Sequence, residues 1–423
     1  MSGGYQRAAR AARPPASDRV GESLRDSRPA TGSRAASAQA APAWRPDLPV
    51  DDVLLVLVTG LVVAGIVAVF SATFPTASKP LASGAPGNPY RFLIQQGAYA
   101  VLGGIMCAVF AYVPPNRVRR WALLAFGVAL GLMVALFIPG VGVVMGGSRR
   151  WLSLGPVNFQ PSEPAKIALV AFVAWRVSQV RDWATGQYRA YAGSMVATAL
   201  FCGLCVLEPD LGSAVVMFAV VLATLFFAGV RSSLLAGTGV AAAFLVLLLA
   251  WVEPYRWQRI SAFFHPTQDT GDTSYHVARM LVTLARGGLF GQGLGLSREK
   301  WLALPARHTD SIFCVIGAEL GFIGAAALVI AFFWLIRRAA LLARRQPDIF
   351  SATLTAGLGA MIGLQAFINM GVACGLVPCT GITLPFISAG GSSLVCTLIA
   401  SGILLSLSRQ AAPEEGDTQC RAA

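Results

Sequence analysis

The chain has 423 residues, of which 55% are hydrophobic and only 13% charged, with a mean hydropathy of +0.63. That balance excludes a water-soluble globular enzyme and makes lipid the solvent for most of the chain. The formal net charge of +13 would suit a nucleic-acid binder, but most of the arginines flank apolar stretches. Such placement marks membrane topology and anionic lipid, and no nucleic acid is expected as a partner.

Residues 1–50 are rich in Ala, Arg, Ser and Pro with almost no large aliphatics. They cannot bury enough surface to fold and are expected to be a disordered basic tail. They are not a signal peptide, because the first apolar run begins at Val53 and is long enough to span. Ten apolar segments follow, over 53–74, 92–112, 121–139, 161–180, 190–207, 211–229, 232–252, 311–335, 353–372 and 385–408. Each is close to the roughly 20 residues that a spanning helix needs. The expected fold is all-α, a polytopic membrane protein of about ten transmembrane helices over 51–410, with a short tail at 411–423. With alternating spans, Arg117, Arg119, Arg120, Arg176, Arg181, Arg189, Arg231, Arg337, Arg338, Arg344, Arg345 and Arg409 fall on the same side as the arginine-rich tail. The positive-inside rule then places both termini in the cytoplasm.

In this topology the long connections face outward: 140–160, 373–385 and the largest, 253–310. The last holds all three histidines (His265, His276, His308) together with Asp269 and Asp272. A connection of that size in a compact membrane protein is functional or disordered. Its stretch from Tyr275 to Phe290 reads as a partly helical element lying at the interface.

Charged groups at membrane depth are the second signal, because each is costly in hydrocarbon unless paired or facing a wet cavity. Glu163 and Lys166 are three apart near the start of the fourth span, so they share a face and can pair. Asp210 sits in a tight turn, Glu208-Pro209-Asp210-Leu211-Gly212, and Glu319 lies in the eighth span beside Gly317 and Gly321. For each, an internal ion pair or a helix cap that only fixes packing is the alternative to a functional role. The third signal is Gly147-Ser148-Arg149-Arg150-Trp151 followed by Gln160-Pro161-Ser162-Glu163. Adjacent arginines on an outer connection run against the charge rule and call for an anionic partner; guanidinium suits diphosphate oxygens, and lipid headgroups are the alternative. The cysteines read mostly as small apolar residues, with Cys374 and Cys379 as a candidate disulfide.

Taken in order, the segments Gly147–Lys166 (GSRRWLSLGPVNFQPSEPAK), Glu208–Gly212 (EPDLG), Gly287–Gly295 (GGLFGQGLG), Leu304–Gly321 (LPARHTDSIFCVIGAELG) and Asn369–Ser393 (NMGVACGLVPCTGITLPFISAGGSS) closely resemble the SEDS family of polytopic membrane proteins. The likeness covers nearly all of 53–408, and GPVNFQPSE and GITLPFISAGGSS lie nearer its FtsW branch than its RodA branch. Some positions depart from the family pattern: Ala389 for Tyr, Ala306 for Glu, Ala318 for the first of two Glu, and Asp269-Thr270-Gly271-Asp272 for Asp-Pro-Phe-Gly.

The resemblance implies a peptidoglycan glycosyltransferase of cell division that polymerises lipid II at the outer face of the inner membrane, at the septum. By motif position it implies Asp269 as general base in an inverting transfer, with Asp272 a weaker rival. Arg149, Arg150 and Lys166 are the candidates to hold the departing diphosphate. Trp151, Gln160, Ser162, Glu163, Asp210, His308, Thr309, Asp310, Ser392 and Ser393 are further candidates for contact with substrate. Thr309 or Asp310 alternatively caps the eighth span, and Gly390, Gly391, Ser392 and Ser393 either open a groove for the polyprenyl chain or tighten helix packing. No cofactor is evident, although a divalent cation, Mg or Mn, can assist such chemistry. The implied partners are a class B penicillin-binding protein transpeptidase, FtsI-like, and other divisome proteins. A lipid II flippase, a RodA-like polymerase of elongation and a non-catalytic scaffold are the rival readings.

Overall fold

The computed structural model describes residues 44–78, 88–145, 148–155, 157–264, 272–297 and 309–411. Most of the expected basic tail, the C-terminal tail from 412, Asp269 and His308 lie outside the described residues. All ten expected spans form helices: α1 Asp52–Ala77, α2 Arg91–Ala111, α3 Pro115–Ala135, α4 Ser162–Ser178, α5 Trp183–Leu207, α6 Leu211–Phe227, α7 Ser232–Val252, then, after the outer connection, α10 Ile312–Arg344, α11 Ile349–Ala373 and α12 Gly391–Ser408.

Among the described residues eight helices are long and apolar enough to cross a membrane. The other two of the ten, α4 and α6, have 17 residues each, about 25 Å of helix. Both are packed within the bundle: α4 buries Glu163 and Lys166 along with most of its apolar residues, and α6 buries Val216, Met217, Val220 and Val221. A span sheltered by its neighbours need not match the lipid thickness alone. The outer helices invert the soluble pattern, with Val56, Ile94, Val101, Phe244 and Trp251 exposed, as apolar solvent requires. The most enclosed helix is α11.

Close packing rests on small residues. A Cβ at Gly391 would meet the Tyr99 ring at 2.4 Å, and one at Gly402 would meet the Cys107 backbone at 2.4 Å, so α12 lies directly on α2. Gly391 therefore tightens packing against the Tyr99 ring. Glu319 is likewise structural in its contacts: Ser71 Oγ donates to its Oε1 and Oε2 at 2.7 Å each, tying α10 to α1.

At one end of the bundle the termini are drawn together. Trp44 Nε1 donates to Ser406 Oγ at 3.1 Å, Arg409 Nη1 to Pro46 O at 2.6 Å, and Arg338 pairs with Asp51 at 2.7 Å. The last residues of the expected tail, 44–50, are thus pinned beneath α12.

The opposite end carries the connections. The outward connection 140–160 contains a three-stranded antiparallel sheet of β1 Gly142–Met145, β2 Ser148–Leu154 and β3 Val157–Phe159. Within 253–310 lie α8 Pro254–Phe264 and α9 Asp272–Arg286; α9 buries Val277, Met280 and Thr283, which agrees with the amphipathic reading of that stretch.

The glycine-rich strap after α9 docks into a break in α10. Gly321 has φ +70°, a conformation that costs L side chains dearly. The carbonyls of Ala318 and Glu319, which lose their helical partners there, accept from Gln292 N at 2.9 Å and Gly293 N at 3.0 Å. In return Phe322 N donates to Gly288 O at 2.8 Å. Broken helical bonds are thereby replaced one for one by bonds to the strap. Cys374 and Cys379 are both free thiols.

Candidate active site

Burial and contacts along β2 decide which of the adjacent arginines enters the site, because the register against β1 shifts at Arg150, between the pairs Val143–Trp151 and Val144–Arg149. Ser148 and Leu152 are buried and Arg150 is half-buried, whereas Ser153 is exposed. Arg150 Nε donates to Ser148 Oγ at 2.6 Å, and its Nη1 lies 3.5 Å from Asp210 Oδ1. Arg149 is exposed and Trp151 half-buried.

Asp210 combines two roles that the sequence left as alternatives. It caps α6, accepting from Ser213 N at 3.2 Å and Ser213 Oγ at 2.8 Å, and it also pairs with Arg150. Gln160 Nε2 donates to its Oδ2 at 3.3 Å. The same residue's backbone N–H donates to Ser392 Oγ at 3.1 Å, and Ser392 Oγ donates onward to Asn158 O at 3.3 Å. Thus β3, α4, α6 and α12 are joined at one corner. Ser162 is buried beside them with no partner for its Oγ.

Beneath this corner Glu163 and Lys166 pair as their spacing predicts, at 3.0 Å. Lys166 Nζ also donates to Gln365 Oε1 at 2.6 Å. Gln365 Nε2 donates to Thr383 O at 3.1 Å, and the Thr383 and Ser393 hydroxyls lie 2.9 Å apart. The Lys166 side chain is only 4% exposed. Gln160, Glu163, Lys166, Asp210, Ser213 and Thr383 line a cavity of about 30 Å³, room for a water or two and none for a sugar or diphosphate.

The third part is the approach to α10. Ser311, not Thr309 or Asp310, is the N-cap residue of α10; its hydroxyl lies 3.0 Å from His276 Nε2 on α9. Thr309 O accepts from Ser388 Oγ at 2.7 Å, and Asp310 O from Asn369 Nδ2 at 3.2 Å. Burial pushes the Asp310 carboxyl up to about 6 from its usual carboxylate range, against the pull of Arg259 and Arg150. Burial and the neighbouring Asp210 push Glu208 up to about 8, with Arg150 opposing. Its Oε1 is buried without a hydrogen-bond partner. His276 is lowered, first by burial and then by Arg259.

Among the candidate residues the structure brings together Arg150, Gln160, Glu163, Lys166, Asp210, Ser392 and Ser393, with Thr309 and Asp310 at the edge. Gln365, Asn369, Thr383, Ser388 and Arg259 belong with them and were not singled out from sequence. Gln365 and Asn369 were detectable, since two amides four apart in an apolar span share a face and must find partners in lipid. Arg259 carried the same signal as Arg150, a cation on an outer connection. Among the described residues no cluster of three or more His, Cys, Asp or Glu could hold a metal ion.

Residues 52–412 match the family model of the cell cycle proteins FtsW, RodA and SpoVE. The chain is 36% identical over 358 residues to a probable peptidoglycan glycosyltransferase FtsW of Geobacter sp. (strain M18), covering 85% of this chain and 96% of that protein. It is 38% identical over 364 residues to a protein of the same description from Saccharophagus degradans, covering 84% and 92%. Among solved structures it resembles a chain of a peptidoglycan synthase complex that coordinates polymerization and crosslinking, at 29% identity and TM-score 0.69, over 85% of this chain and 98% of that one. It also resembles the rod shape determining protein RodA of Thermus thermophilus, at 28% identity and TM-score 0.63, over 86% and 98%.

Proposed function

The chain belongs to the FtsW, RodA and SpoVE family of integral membrane proteins, and from that premise we propose that it is a peptidoglycan glycosyltransferase of the FtsW type, polymerising lipid II at the septum. In this reading the end of the bundle that carries the sheet, α8 and α9 faces outward and both termini are cytoplasmic.

The observation that carries the reading is the anchoring of α8 and α9, the two helices between which Asp269 falls in sequence. On the α8 side Arg259 Nη1 donates to Cys379 O at 3.4 Å, and on the α9 side His276 meets Ser311, next to Asp310. In this reading the Asp269 carboxylate works beside the cationic corner of Arg150, where a membrane-bound diphosphate is expected to sit.

The chemistry follows from the substrate. Asp269 accepts the proton of the acceptor sugar's hydroxyl as its oxygen bonds to the anomeric carbon of the growing strand. The bond from that carbon to the diphosphate breaks, and attack from the opposite face inverts the centre without a covalent intermediate. Arg150 stabilises the charge gathering on the leaving diphosphate. A single-pass class B penicillin-binding protein, FtsI-like, would cross-link the product strands, with other divisome proteins assembled around the pair.

The test is purified full-length protein with its transpeptidase partner, given labelled lipid II. Wild type is expected to build glycan chains and Asp269→Ala to build none, at unchanged thermal stability. Chains made by Asp269→Ala at the wild-type rate, or labelling that places position 269 on the cytoplasmic side, would overturn the mechanism; lipid II moved across vesicles with no chains formed would favour a carrier. Chelation followed by Mg or Mn decides whether a divalent cation shares the charge with Arg150.

A further inference from the structure

Three cations are near enough in sequence or space to serve the diphosphate, and the structure separates them. Arg149 is exposed on β2. Lys166 is enclosed, bonded to both Glu163 and Gln365 above a cavity that admits only water. Arg150 alone of the sequence candidates reaches the corner while staying 27% exposed. One guanidinium on a flexible diphosphate would fix neither its rotation nor both its phosphoryl groups, so a second donor is expected.

Arg259 is placed to supply it. It projects from α8, an element separate from β2, and its Nη1 donates to Cys379 O at 3.4 Å. Cys379 precedes Gly381, Ile382 and Thr383, which line the same small cavity as Gln160 and Asp210. A Cβ at Gly381 would stand 3.7 Å from Asp310 Oδ2, so the Asp310 carboxyl abuts that connection too. The Asp310 carboxyl feels both Arg259 and Arg150. Two guanidinium groups from elements far apart in sequence therefore converge on one patch bounded by Asp210, Asp310 and Gly381. A guanidinium holds a planar fork of five donors, which lets it serve several acceptors at once.

We propose that Arg259 is the second arm of a two-arginine clamp, with Arg150 the first, that grips the diphosphate of the polyprenyl-linked substrate. The proposal rests on the polymerase reading for its substrate, but the clamp itself is a statement about binding. Asp210 holds the Arg150 arm by the 3.5 Å pair and the Cys379 carbonyl the Arg259 arm, and an arriving diphosphate takes over the Arg150 donors.

The experiment compares undecaprenyl diphosphate with undecaprenyl monophosphate on the full-length protein, by thermal stabilisation and by inhibition of lipid II polymerisation. Wild type should prefer the diphosphate. In Arg259→Gln that preference should fall about tenfold, with KM for lipid II rising by a similar factor and kcat changing less. Arg259→Lys should recover only part, because an ammonium keeps the charge and loses the fork. A diphosphate-to-monophosphate preference that stays at the wild-type value in either variant overturns the clamp and leaves Arg259 a structural contact to Cys379. Should Arg259→Gln fail to fold, the same preference measured on Arg259→Lys decides. Should wild type build no glycan, the polymerase reading fails, while the thermal comparison still decides the clamp.

Discussion

Two ion pairs lie close together in this protein and differ in what surrounds them. Glu163 and Lys166 sit on successive turns of α4, side chains 8% and 4% exposed, with Gln365 closing the third side. Arg150 and Asp210 come from a strand and a helix cap, and Arg150 is 27% exposed at a longer 3.5 Å. A pair enclosed by lipid-buried helices cannot exchange its partner without leaving a bare charge in a low dielectric, whereas a pair at the mouth can trade its carboxylate for a ligand's phosphate. The first therefore holds the bundle together and the second is available for chemistry.

The largest effect that sharpens this contrast is expected at Lys166. Lys166→Met strands Glu163 in the interior and should cost about 3–5 kcal/mol of stability, read as a lower melting temperature in detergent. Adding Glu163→Gln should recover the greater part. A Lys166→Met protein as stable as wild type yet unable to polymerise would break the contrast and return Lys166 to the substrate.

Next in size is the strap. Gly321→Ala puts a Cβ 2.3 Å from Gly291 N at a left-handed φ, and roughly 1–3 kcal/mol should be lost from the backbone strain alone. Hydrogen exchange should show faster opening of 287–293 while α11 stays protected; uniform loss across the bundle would contradict a local dock.

Asp210→Asn tests the outer pair with less structural damage, since the amide oxygen can still accept from Ser213 N and the amide N–H can donate to Gln160 Oε1 once Gln160 turns its side-chain amide over. Stability should change little, while polymerisation falls about tenfold, on the order of 1.4 kcal/mol in the barrier, as Arg150 loses the anion that aims it. Equal activity in Asp210→Asn would make Asp210 a cap and nothing more.

The effect at Glu208 is set by pH, because its folded-state value near 8 lies above the ordinary 4.5. A raised acid binds its proton more tightly when folded, so its contribution is complete below about 4.5 and is lost as pH climbs through 8. Glu208→Gln removes that dependence. The variant should therefore melt with wild type near pH 5 and above it at pH 9; parallel curves across that range would show a carboxyl already ionised.

The membrane spans were legible because hydropathy is additive and local: about twenty apolar residues announce a helix wherever they occur. Even so, α4 and α6 came out at 17 residues, since helices sheltered by protein answer to their neighbours and not to the bilayer. The Glu163–Lys166 pair was equally readable, because a spacing of three on a helix fixes who faces whom.

Partner choice across the fold was not readable in this way. From sequence alone Arg149 and Arg150 are interchangeable, and only pairing β2 with β1 and β3 turns one toward Asp210 and the other to solvent. Arg259 gave no hint of its neighbours, because its approach to Cys379 and Asp310 depends on how α8 folds back over connections more than fifty residues away. The sequence by itself determined which ten apolar segments form helices, which side of them is basic and which carboxylates sit at costly depth. The tertiary structure decided which cation each carboxylate meets, because a charge buried in a low dielectric takes whatever partner the packing brings within a few ångströms, and that distance is no function of sequence separation.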